Sequence, residues 1–200
     1  MDAIQFFLLH HERLYADHER LYAQIEERFA GLSDDQMRFR PHPHANSIAW
    51  LLWHMACGED MLNRLVANRA LILDEAGWMQ RLDLPRHDVG TAMTDEDVSE
   101  FSARVDIAAL RAYHAAVGRR TQEIARSLRP EDLDVVPERS QIRQLCQEIF
   151  GPNIAGVAEQ YYAGNTKGWF LGHLALTHPF EHLAQAVLVR KLLGLGSGRP

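Results

Sequence analysis

Cysteine and lysine are both scarce in this chain. Cys57 and Cys146 are its two thiols in 200 residues, each inside a helical pattern. They have no C-x-x-C spacing, so neither a disulfide framework nor a zinc ribbon is expected. Such thiol usage fits a reducing, cytoplasmic setting. Of 21 basic residues only Lys167 and Lys191 are lysines, and the net charge of −6 is spread along the chain. No basic cluster offers the electrostatic footprint of a nucleic-acid binder. No apolar run approaches the roughly 18 residues of a membrane span. The segment MDAIQFFLLHHERLYADHER has neither the basic start nor the small-residue cleavage site of a secretory leader. A membrane or nucleic-acid partner is therefore not expected, and a small-molecule substrate is. Several motifs are also missing. The absence of H-E-x-x-H excludes a zincin protease, and the absence of E-x-x-H excludes a di-iron carboxylate bundle. G-x-G-x-x-G, P-loop and G-x-S-x-G signatures do not occur either.

What the sequence does have is helical periodicity. With 46% hydrophobic residues it can bury one core, and we read 1–195 as a single domain followed by a mobile tail, 196–200. A stripe through Ile4, Phe7, His11, Leu14, His18, Leu21, Ile25 and Phe29 predicts one long first helix, within which HERLYA occurs twice. RFRPHPHAN reads as a loop. A second helix is expected from the N-cap Ser47 through IAWLLWHMACGEDMLNRLVA. Residues 70–93 then form a long crossover holding at most a short helix. Thr94 and Asp97 have capping-box spacing and open a third helical region, 98–128, with a break near Asp106. A short helix is expected around 141–149, and GPNIAGVAEQYYAGN reads as irregular. The last helix opens at Asn165/Thr166 and runs to Leu193. The fold class is thus all-α: a four-helix bundle whose crossover is long enough to make helices 2 and 3 parallel neighbours.

Eleven histidines are the compositional oddity. His178 and His182, in THPFEHLAQ, are four apart and share one helix face. About 0.6 such pairs are expected by chance at this histidine content, so the spacing by itself is a weak motif. Their face continues through Leu171, Leu174, Ala175, Gln185, Ala186 and Val189, which turns both toward the apolar interior. His54 lies likewise among Trp50, Leu51, Gly58, Met61 and Leu62. Three imidazoles on two core-facing helices would form a neutral site with a coordination position left open, and Gly58 would not crowd that position. The alternative for each is a satisfied core histidine.

The stretch SIAWLLWHMACGEDML and the later His178-x-x-x-His182-x-x-Gln185 resemble the DinB/YfiT-like family of metal-dependent helical bundles. That resemblance implies a four-helix bundle in which His54, His178 and His182 bind one divalent ion: zinc, nickel or iron. It also implies an enzyme that uses a low-molecular-weight thiol, such as mycothiol or bacillithiol, in S-transfer or isomerisation of a small electrophile, with hydrolysis next. Characterised relatives include such transferases and isomerases, and the iron-binding domain of ergothioneine-type sulfoxide synthases. The alternative is a non-catalytic metal- or ligand-binding bundle with a structural or stress-response role.

Pro179 departs from the family pattern by placing a helix breaker inside the pair; a kink is expected there, which either aims His178 at the ion or spoils the site. His173, five residues before His178, falls off the ligand face and is excluded. His11 and His18 are assigned to helix packing, and His42 and His44 to a solvated loop. Glu59, Asp60 and Glu181 are candidate partners for ligand N–H groups, with surface charge as the alternative. Tyr161, Tyr162 and Trp169 are either aromatic core or the rim of a pocket. Cys57 reads as a buried, inert thiol. No general base is apparent. The long first helix is compatible with a homodimer as well as with a monomer core.

Overall fold

The computed structural model describes residues 1–15, 24–75 and 77–196, and among these every regular element is helical. The order is α1 (Ala3–Tyr15), α2 (Gln24–Phe29), α3 (Asp34–Arg38), α4 (Ile48–Leu65), α5 (Trp78–Arg81), α6 (Asp95–Arg104), α7 (Ile107–Ser127), α8 (Arg139–Ile149), α9 (Ala155–Tyr162), α10 (Lys167–Gly172) and α11 (His178–Leu192). A π-helical turn, His173–Thr177, joins the last two. Among the described residues the long arms are α4, α6–α7 and α10–α11, with α1 packed on α7.

The starts of these helices follow from local capping. Ser47 accepts the backbone N–H of Trp50 and opens α4, while Thr94 and Asp97 form the expected capping box at α6. Asp106 caps α7 at the expected break, and Thr166 caps α10. Two elements depart from the sequence reading. Ser33 and Gln36 form a capping box that opens the short α3, just after the point where the first helix was expected to end. The stretch after Gly151 contains α9, whose Ala155, Ala158 and Tyr162 are buried. Its core-facing residues are mostly small, so the hydrophobic period is faint. The expected continuity of the first helix across residues 16–23, and with it His18, lies outside the described residues, as does most of the expected mobile tail.

Side-chain contacts give the directions of the arms. Ser47 meets Ser102 at 2.7 Å, Tyr113 donates to Asp60 at 2.8 Å, and Arg120 donates to Asn63 at 3.4 Å. Positions rise together, so α4 and α6–α7 run parallel, as a long crossover permits. His54 meets His178 and His182 while Gly58 lies against His178, so α4 and α11 run antiparallel.

The crossover is fastened onto α4. The Asp60 carboxylate accepts the backbone N–H groups of Ile72 (2.9 Å) and Leu73 (3.0 Å) together with the Tyr113 hydroxyl and the Asn63 amide. Burial raises the Asp60 pKa, and these four donors oppose that rise. Further on, the Trp53 indole donates to the carbonyl of Asp88 at 3.1 Å, and the Val89 N–H donates to Ile149 at 3.0 Å.

A second polar cluster sits between α1, α4 and α7. Glu59, fully buried, takes His11 Nε2 at 2.7 Å and the Tyr15 hydroxyl. The Tyr15 ring is sandwiched between the imidazoles of His11 and His114, each 4.6 Å away between centroids. Gly118 makes room for it, since a Cβ there would lie 2.2 Å from the Tyr15 ring. Glu59 and Asp60 are therefore interior anchors, neither bonded to His54, His178 or His182 nor exposed at the surface.

Burial holds the His114 pKa down at about 4. A histidine whose folded pKa lies below its unfolded value of about 6.5 contributes stability above that value and loses it as pH falls toward the folded pKa. Urea unfolding between pH 6.5 and 4 is thus expected to show falling stability. His114→Phe should flatten that dependence by about one proton per molecule; an unchanged slope would refute the buried neutral imidazole.

A three-histidine candidate metal centre

Helix α4 is buried on every side, and its His54 points toward the start of α11. Its Nδ1 donates to the carbonyl of Val89 at 2.6 Å. A carbonyl can only accept, so Nδ1 carries the proton and Nε2 presents a bare lone pair. Trp50 stacks on the same ring at 4.8 Å and 14°, which fixes its plane. His182 is oriented in a parallel way: its Nδ1 lies 2.9 Å from Oε1 of Gln185, leaving its Nε2 free. Val89 and Gln185 thus play the part for which the sequence reading proposed Glu59, Asp60 and Glu181.

His178 completes the set. Its Nε2 lies 3.0 Å from Nε2 of His54 and 3.1 Å from Nε2 of His182. The three donor atoms lie within 4.8 Å of one another, and among the described residues no further His, Cys, Asp or Glu joins them. Two of the three nitrogens have lone pairs fixed inward by their outer partners. His178 can donate one proton to one of them at most, so at least one lone pair faces another nitrogen unsatisfied. A cation at the convergence point removes that conflict. Tetrahedral zinc–imidazole bonds would set neighbouring nitrogens about 3.3 Å apart, close to what is seen. The donor set therefore fits a divalent ion of the zinc, nickel or iron type.

The electrostatics agree. Burial, with the neighbouring imidazoles, lowers the His178 pKa to about 2, and burial lowers that of His54 to about 4 despite the Val89 bond. Both rings are neutral near pH 7, the form in which imidazole binds metals.

Gly58 has a different use from the one its spacing suggested. Rather than clearing an open coordination position, it admits the His178 ring: a Cβ there would lie 3.0 Å from Cε1 and 3.3 Å from Nδ1.

Pro179 follows the π-helical turn, in the first turn of α11. It has no N–H for the carbonyl of Ala175, and its ring would crowd that carbonyl in a regular α-helix. The π-helical turn absorbs both problems, with the His178 N–H reaching back to His173. It has a second effect. Five residues turn an α-helix by about 500° but a π-helix by roughly one turn. His173 consequently comes over the site, its ring centroid 6.1 Å from that of His178. It does not join the donor set. It stacks on Trp169 at 4.6 Å, and its two nitrogens lie 3.4 Å from the hydroxyls of Tyr161 and Thr177.

Cys57 is buried, with its pKa pushed up by burial, in keeping with an inert thiol. His44 is exposed and paired with Asp95.

Comparison with known proteins places this geometry in context. The profile of the DinB superfamily matches residues 17–186. A crystal structure of a conserved protein from Enterococcus faecalis superposes with a TM-score of 0.68 at 20% identity, covering 97% of this chain and 99% of that one. At that identity the likeness is one of fold. No curated protein matches the chain significantly.

Two substitutions probe the centre. Gly58→Ala should displace the His178 ring and weaken zinc binding by about tenfold or more with helicity retained. Gln185→Leu removes the outer partner of His182 and should cost about 10–100-fold in affinity. Competition with a chromophoric chelator measures both, and wild-type affinity in either variant would contradict the geometry.

Proposed function

The chain belongs to the DinB superfamily, and from that membership and its three converging imidazoles we propose that it is a divalent-metal-dependent enzyme acting on a small molecule. The observation that carries this reading is the inward convergence of three Nε2 atoms, two with lone pairs fixed by Val89 and Gln185. His54, His178 and His182 would hold the ion. Three neutral ligands leave it its full charge, and the chemistry it supplies when bound is Lewis acidity toward a thiol, water or substrate oxygen.

The residues of the chain do the rest. His54 is held by a carbonyl and an indole face, so its lone pair needs no reorganisation. His182 is anchored by Gln185, and the Gly58 gap seats His178. Trp50 and the crossover cover the buried side of the centre, while His178 and His182 are only partly buried, which leaves an approach from the α11 side.

Within this reading, S-transfer from a low-molecular-weight thiol to a small electrophile in the cytoplasm is the reaction class we favour. A donor set of three side chains supports catalysis over a closed structural site, because structural zinc is almost always bound by four protein ligands.

Elemental mass spectrometry on untagged protein tests the proposal. About one ion per chain is expected in wild type, with loss in His178→Ala/His182→Ala. Absence of metal after reconstitution with zinc, nickel and iron(II) would overturn it. If the ion is present, thiol consumption assays with model electrophiles test the reaction class.

A further inference from the structure

The aromatic residues beyond His178 have no role in holding the donor set, and their arrangement is specific. Tyr161, at the end of α9, is 55% exposed although only the His173 ring separates it from His178. Its ring meets Trp169 at 5.8 Å and His173 at 5.7 Å, both edge to face, while Trp169 and His173 stack. His173 in turn lies 6.1 Å from His178. The rings thus form a continuous wall running from solvent to the three-histidine centre. The π-helical turn brings His173 into it; a regular helix would point that side chain away.

The wall is held in place from outside. Asn165 donates to the carbonyls of Tyr161 (3.0 Å) and Tyr162 (3.2 Å), closing the turn between α9 and α10, where Gly164 adopts φ +81°. The Lys167 N–H donates to Val135 at 2.8 Å. Tyr161 and Trp169 are therefore preorganised, and binding against them would order little that is loose.

We propose that Tyr161, Trp169 and His173 form the contact surface for the organic part of the substrate, and that they select an aromatic ring. The inference rests on the metal-dependent reading above for the donor atom that would sit at the ion. The choice of an aromatic ligand rests on the wall itself. Its rings touch one another at 4.6–5.8 Å between centroids in stacked and edge-to-face geometry. Another flat ring extends the same edge-to-face and stacked pattern. The Tyr161 hydroxyl adds a polar handle on the exposed side.

The test compares phenylmethanethiol with its saturated counterpart cyclohexylmethanethiol on the zinc-loaded full chain by calorimetry. The aromatic thiol is expected to bind about three- to tenfold tighter. In Tyr161→Ala, with zinc content measured and unchanged, that preference should fall to near unity. Equal affinities in wild type, or a preference retained in Tyr161→Ala, would overturn the proposal. A second arm separates its failure from failure of the metal reading. In metal-free protein, benzyl alcohol should move the indole N–H resonance of Trp169 further than cyclohexylmethanol does. That result combined with no zinc uptake would uphold the wall and sink the metalloenzyme. An unmoved Trp169 resonance would overturn the wall whatever the metal content.

Discussion

A helix buried on every side has to satisfy its polar side chains from neighbouring elements, since water cannot do so. In α4 every residue but Arg64 is buried, among them His54, Glu59, Asp60 and Asn63. Each of these groups therefore selects what packs against it. Glu59 requires the donors of His11 and Tyr15 and so fixes α1. Asp60 requires four donors and draws the crossover and α7 onto α4. His54 requires an acceptor, and the carbonyl of Val89 is available only because Asp60, Trp53 and Ile149 hold the crossover where it is. The bundle and the centre are in this sense one hydrogen-bonding problem with one solution.

The same logic explains how a site can be prepared without a charged ligand. The outer partners of His54 and His182 set the protons on Nδ1 and leave Nε2 bare, so the three nitrogens face one another in a conflict that a cation resolves. Such an unsatisfied arrangement costs stability by itself, as polar groups at functional sites commonly do. Gly58 and the π-helical turn are the two backbone adjustments that make the convergence sterically feasible, one by removing a side chain and the other by widening a turn.

Much of this was legible beforehand because it is local. The caps at Ser47, Thr94, Asp106 and Thr166 are short-range hydrogen-bonding signals, and the helices begin where those residues stand. The apolar faces around His54 and the His178/His182 pair are periodic, and a period of 3.6 shows which side chains share a face. What misled was equally physical. The α-helical period rightly kept His173 out of the donor set but did not foresee its approach to His178, because the π-helical turn before Pro179 changes the angular step. Small residues hid α9, whose packing depends on close approach more than on hydrophobic bulk. Glu59 and Asp60 looked like surface charge because nothing in a linear pattern reports that a polar residue has found buried donors far along the chain.

The sequence by itself determined the all-helical class, the starts of α4, α6, α7 and α10, the long crossover and the candidate histidines, since each follows from spacing and local hydrogen bonding. Tertiary structure alone decided which partners orient those histidines, that Gly58 seats a ring, and that an aromatic wall reaches the centre. The Val89 partner of His54 and the meeting of His54 with His178 depend on contacts between residues 35 and 124 positions apart, and such contacts exist only once the helices have chosen their neighbours.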